Sequence, residues 1–187
     1  MSVPPRAAAP CVALLRGVNV GGRAALPMAG LRDLVASLGH ADVRTYLQSG
    51  NVVLSPATAG AAALERQLEA AIAERFGLDT RVLVRTAAQL EAVVDANPFP
   101  AALTDPASVH VLFLARTPAA DAVARLDPSR SPTDAFEVRG REVFVHYPHG
   151  AGRSRFTGAY VERVLGVAAT GRNWRTVTAL LAMTRPA

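Results

Sequence analysis

The order of strand-like and helix-like segments constrains this chain more than any single motif, because the order occurs twice. Cys11 to Arg16 (CVALLR) is an apolar run of strand length, closed by the glycine-rich GVNVGG. Pro27 then suits the first turn of a helix, with Met28, Leu31, Leu34, Val35 and Leu38 at helical spacing before Gly39. Val43 to Leu47 and Val52 to Leu54 are short strands around a tight turn, Gln48-Ser49-Gly50-Asn51. Leu64, Leu68, Ile72 and Phe76 mark a second helix ending at Gly77, Arg81 to Arg85 a fourth strand, and Ala87 to Ala96 a helix stopped before Pro98.

The second half repeats the order. Ser108 to Ala115 is a strand, and Thr117-Pro118 opens a helix reaching Leu126. Ala135 to Val138 and Glu142 to Tyr147 form a hairpin across Gly140. A helix from Thr157, bearing Tyr160, Val161, Val164 and Leu165, is closed by Gly166. Val167 to Thr170 is a weak strand and Trp174 to Met183 a final helix. The expectation is an α+β chain of two tandem ferredoxin-like (βαββαβ) halves, each followed by an extra helix. Residues 1–10 form a disordered lead-in, 11–97 the N-terminal half, and 98–187 the C-terminal half with its terminal helix.

Composition narrows the function classes. No apolar run approaches the ~20 residues of a membrane span. Ala7 to Leu15 is too short for a signal peptide and runs into Arg16, so no membrane is expected. Cys11 is the single cysteine, which excludes an internal disulfide and makes the cytoplasm the default location. His40, His110, His146 and His149 lack metal-ligand spacing, so neither a metal nor a cofactor is implied. The net charge is +5, and all 20 basic residues are arginine, with no lysine for a Schiff base or a phosphate loop. A solvated basic surface and a nucleic-acid footprint both fit that charge.

Right-handed crossovers bring sequence-distant polar residues together. In the first half, the end of strand one and the turn between strands two and three share an edge. That gathers Arg16, Asn19, Gln48, Ser49 and Asn51. With the glycine backbone of Gly21-Gly22 and the helix start near Pro27, this suits an oxyanion such as phosphate. Equally, the glycines are only a loop, Ser49-Gly50-Asn51 only a good turn, and Arg16 the partner of a carboxylate. In the second half the ends of strands three and four converge. They carry Tyr147, Arg153, Ser154 and Arg155, and then Arg172, Asn173, Trp174 and Arg175. Arginines beside aromatic faces are what nucleotide and single-strand sites use. Alternatively Trp174 is a core residue, sharing a helical face with Val177 and Leu181, and Asn173 is an N-cap.

Four stretches, ALLRGVNVGG (Ala13 to Gly22), VRTYLQSGNVV (Val43 to Val53), GAGRSR (Gly150 to Arg155) and TGRNWRTVTALLAM (Thr170 to Met183), resemble the bacterial family catalogued as domain of unknown function 1697. The family pattern has Lys where this chain has Arg155, which keeps the charge but not the shape. The resemblance implies a small cytoplasmic bacterial α+β protein and supplies no reaction, substrate or catalytic residue. The expected function is therefore a non-catalytic binding module for a phosphate-bearing ligand, a nucleotide or a nucleic-acid backbone. One alternative is a small transferase or hydrolase with an Arg-rich anion pocket, in which His149 or Tyr147 acts as a base beside Ser154. None of the fifteen acids falls in the four motif runs, which counts against that enzyme. A further alternative is an interaction or assembly module that pairs through edge strands.

Overall fold

The computed structural model describes residues 9–19, 26–57 and 60–185. The expected lead-in falls outside them except for Ala9 and Pro10, and so do Gly21 and Gly22. The described residues form two compact units. The first takes the chain up to Leu90 and again from Leu180, and the second takes Glu91–Ala179. Each holds a four-stranded antiparallel sheet, and six α-helices accompany them among the described residues. None of these helices is long and apolar enough to cross a membrane.

In the first unit β1 (Cys11–Leu15) is followed by α1 (Met28–Ser37), β2 (Ala41–Thr45), β3 (Asn51–Ser55), α2 (Ala61–Phe76) and β4 (Val82–Thr86), with strand order β2-β3-β1-β4; the next helix, α3 (Ala87–Asp95), begins in this unit and ends in the second. The strand period of two divides β1 between faces. Cys11, Ala13 and Leu15 join Leu31, Leu34 and Val35 of α1 and Leu64, Leu68 and Ile72 of α2 in one core. Each buried leucine, isoleucine or valine among them contributes roughly 1.5–3 kcal/mol. α2 ends at Gly77, where the sequence reading ended it, and the glycine closes the helix in the left-handed conformation at φ 66°.

In the second unit β5 (Val109–Leu114), α4 (Ala120–Ala124), β6 (Ala135–Arg139), β7 (Glu142–His146), α5 (Gly158–Leu165) and β8 (Ala169–Asn173) follow, with strand order β6-β7-β5-β8; the last helix, α6 (Trp174–Met183), begins in this unit and ends in the first. One face of this sheet packs Leu112, Leu114, Val143, Val145 and Ala169 against Tyr147, Phe156, Tyr160 and Val161.

Four elements, β2, β3, α4 and β8, depart from the expected bounds. β2 begins at Ala41 and ends at Thr45, because Leu47 adopts φ 56° and is turned out to solvent, 54% exposed. The turn thus spans Tyr46 to Gly50, and Asn51 opens β3 instead of closing the turn. α4 is only five residues long. β8 lies two to three residues later than its apolar signal, with ladder pairing to β5 carrying Gly171, Arg172 and Asn173 into a strand despite poor strand propensity.

Candidate functional site

The first polar edge forms as the crossover argument required. The Leu15 N–H donates to the Gly50 carbonyl at 2.8 Å, which joins the end of β1 to the hairpin turn. Asn19, at φ 55°, bridges both segments: its Nδ2 donates to Gln48 O at 2.8 Å and to Leu26 O at 3.0 Å, and its Oδ1 accepts from the Leu26 N–H at 2.7 Å. The buried Asn51 donates to Tyr46 O at 2.7 Å and to Ser49 Oγ at 3.0 Å. These carboxamides therefore hold the turn, since each donor already meets a backbone carbonyl or a neighbouring hydroxyl. Arg16 is exposed, and its backbone carbonyl accepts from Thr80 Oγ1 at 2.8 Å.

The second polar edge divides between the two faces of its sheet. Tyr147 and Ala169 lie in the core beneath α5, whereas Arg172, three residues after Ala169 on β8, points to the opposite face. Arg172 is buried, and its Nη1 donates to Thr170 Oγ1 at 2.8 Å and to Gly171 O at 2.7 Å. Burial lowers its pKa to about 10, so it remains charged at neutral pH. Asn173 accepts from the Thr176 N–H at 2.9 Å as the N-cap of α6, and Trp174 is buried. Tyr147 is also internal. Its hydroxyl donates to Phe156 O at 2.9 Å, and burial, followed by the charge of Asp134, raises its pKa.

Arg153 and Ser154 come together with residues the motifs did not contain. A cleft of about 260 Å³ is lined by Ser131, Thr133, Asp134, His149, Gly150, Arg153 and Ser154. Successive turns build one wall: Gly150 N donates to Tyr147 O, Arg153 N to Gly150 O, and Ser154 N to Ala151 O. The Ser131 to Asp134 turn just before β6 builds the other wall, with Asp134 N donating to Ser131 O at 2.9 Å. Ser154 Oγ ties the walls by donating to Asp134 Oδ2 at 2.5 Å while it accepts from the Phe156 N–H at 2.8 Å. Arg130 adds a second tie: its Nε donates to Arg155 O at 2.8 Å, and its guanidinium lies 4.4 Å from the Tyr160 ring centroid. The exposed Arg153 and His149 and the hydroxyls of Ser131 and Thr133 can all offer hydrogen bonds to one bound group. Arg172, Asn173 and Trp174 do not line this cleft. Sequence reasoning missed Ser131, Thr133 and Asp134, and the available signal was the hydroxyl- and acid-rich SPTD directly before a strand.

The family model described as "Protein of unknown function (DUF1697)" matches residues 9–144. The chain belongs to that family. The stretch matched by the family model carries the first polar edge and the Ser131 to Asp134 wall, and ends before Tyr147. None of the curated proteins matches. A solved structure described as "The structure of conserved bacterial protein SP0830 from Streptococcus pneumoniae" aligns with 94% of this chain and 98% of that one, at 23% identity and a TM-score of 0.72. At that identity the likeness concerns the fold alone.

Proposed function

We propose that the chain is a non-catalytic binding module for a phosphate-bearing ligand, a nucleotide or a nucleic-acid backbone, seated in the cleft between Gly150–Ser154 and Ser131–Asp134. The observation that carries this reading is the Ser154–Asp134 hydrogen bond, which holds Arg153 and His149 opposite the hydroxyls of Ser131 and Thr133. A guanidinium fork with convergent hydroxyl donors matches the geometry of phosphate oxygens. Among the described residues Asp134 is the one acid lining the cleft, with an oxygen engaged by Ser154, while Arg130, Arg153 and Arg155 lie on the same two loops. The Ser154 hydroxyl is held by three partners, Asp134 Oδ2, Ser131 Oγ and the Phe156 N–H, which supports a role as a tie and not as a nucleophile. The first polar edge supports anion binding less, because the Asn19 and Asn51 carboxamides are engaged with turn carbonyls. The strand order shared by both sheets favours reading each half as ferredoxin-like. A buried free thiol suits a cytoplasmic location.

Thermal unfolding with inorganic phosphate, nucleoside monophosphates and short oligonucleotides tests the proposal. A ligand present at 100 times its Kd adds about 2.7 kcal/mol of stability. Wild type is expected to gain stability with at least one of these probes, and Arg153→Ala to lose the gain. The proposal fails if no probe stabilises the wild type, or if Arg153→Ala responds equally.

A further inference from the structure

The turn after β7 has a second depression on its other side. Ala135 and Val109 both pair with His146, so β7 lies between β6 and β5 at this end of the sheet. Asp134, directly before β6, lines the anion cleft. Ser108, directly before β5, lines a groove of about 520 Å³. The two depressions are therefore separated by one strand, with consecutive residues on the ridge between them: Pro148 faces the groove and His149 the cleft. Two strand spacings put β6 and β5 roughly 10 Å apart.

The groove differs in chemistry from the cleft. Its walls are the rings of Phe99 and His146, 6.0 Å apart between centroids and tilted by 38°, together with Pro98, Pro100 and Pro148. Both aromatic rings are half-buried. The segment bearing Phe99 is held stiffly, since Asn97 Oδ1 accepts from the Phe99 N–H at 3.0 Å and prolines on either side fix the backbone. Aromatic rings of this kind take a planar base by stacking. Asp105 also lines the groove and can accept a hydrogen bond from an exocyclic amino group.

We infer that the phosphate-bearing ligand is a nucleoside phosphate, with its base against Phe99 and His146, its sugar across Pro148–His149, and its phosphate at Arg153. The inference rests on the anion reading of the cleft and adds the identity of what is attached to the phosphate.

Isothermal titration of the full chain with adenosine 5′-monophosphate, ribose 5-phosphate and inorganic phosphate separates the two claims. Base stacking makes the nucleotide bind about tenfold or more tighter than ribose 5-phosphate. Phe99→Ala and His146→Ala reduce the nucleotide to the ribose 5-phosphate level, while Arg153→Ala weakens both. A readout independent of any variant is a nuclear Overhauser contact between adenine protons and the Phe99 ring in the wild type. Equal affinity for nucleotide and ribose 5-phosphate, both weakened by Arg153→Ala, would overturn the base subsite and leave the anion cleft standing. Absence of binding by all three probes would overturn both.

Discussion

Gly50 joins two segments of the first unit in a way that only glycine permits, and Gly50→Ala tests this directly. Gly50 has φ +74°, and its carbonyl accepts from the Leu15 N–H at 2.8 Å. A methyl on its Cα would stand 2.5 Å from Val18 Cγ2 and 2.8 Å from Leu15 Cβ, both closer than real carbon contacts allow. Two penalties add. The left-handed backbone costs alanine about 1–2 kcal/mol, and overpacking against a buried valine and leucine about 1–3 kcal/mol, so the loss is roughly 2–5 kcal/mol. Gly17 provides the control. Its φ is +70°, and a methyl on its Cα would meet nothing within 4 Å, so Gly17→Ala carries only the backbone penalty of about 1–2 kcal/mol. Urea unfolding followed by far-ultraviolet circular dichroism, compared as midpoint shifts at a common m, reads both. Equal losses in the two variants would refute the packing argument.

Asn19→Ala removes the carboxamide that serves Gln48 O, Leu26 O and the Leu26 N–H, and a urea midpoint series is expected to record a loss of about 1–3 kcal/mol. No loss would mean that the turn holds without its bridge. Ser154→Ala leaves Asp134 and the Phe156 N–H without this hydroxyl and is expected to lower stability by a similar ~1–3 kcal/mol, while weakening phosphate binding through looser positioning of Arg153. Unchanged phosphate affinity in a destabilised Ser154→Ala protein would separate the tie from the site. Burial raises the Cys11 thiol from 9.0 to about 11. The unfolded chain therefore releases that proton first, binds fewer protons than the native state, and stability falls as pH rises from 9 to 11, by up to about 3 kcal/mol. Cys11→Ala is expected to reduce that alkaline slope in urea midpoints measured against pH, and an unchanged slope would assign it to other groups.

The sequence carried the elements and one of the two edges. Apolar period and glycine stops marked α1, α2 and α5, apolar period alone marked α6, and the crossover rule brought Asn19 to Gln48. The facing of β8 was not legible, because its apolar signal sits at Val167 to Thr170, whereas pairing with β5 moves the strand to Ala169–Asn173. Two-residue alternation then sends Arg172 to the face away from Tyr147, which the misplaced apolar signal could not indicate. The cleft was half legible. GAGRSR announced one wall, but its partner lies in the aperiodic PSRSPTD loop, and the Ser154–Asp134 contact spans 20 residues that no local pattern links.

Amide chemical-shift mapping during titration of isotopically labelled protein with inorganic phosphate reads out whether the Gly150–Ser154 and Ser131–Asp134 loops hold an anion. Saturable shifts are expected at Ser131, Thr133, Asp134 and Gly150 to Phe156, and their loss is expected in Arg153→Ala. Shifts confined to Arg16, Asn19 and Gln48, or no saturable shift at the cleft, would contradict an anion site there.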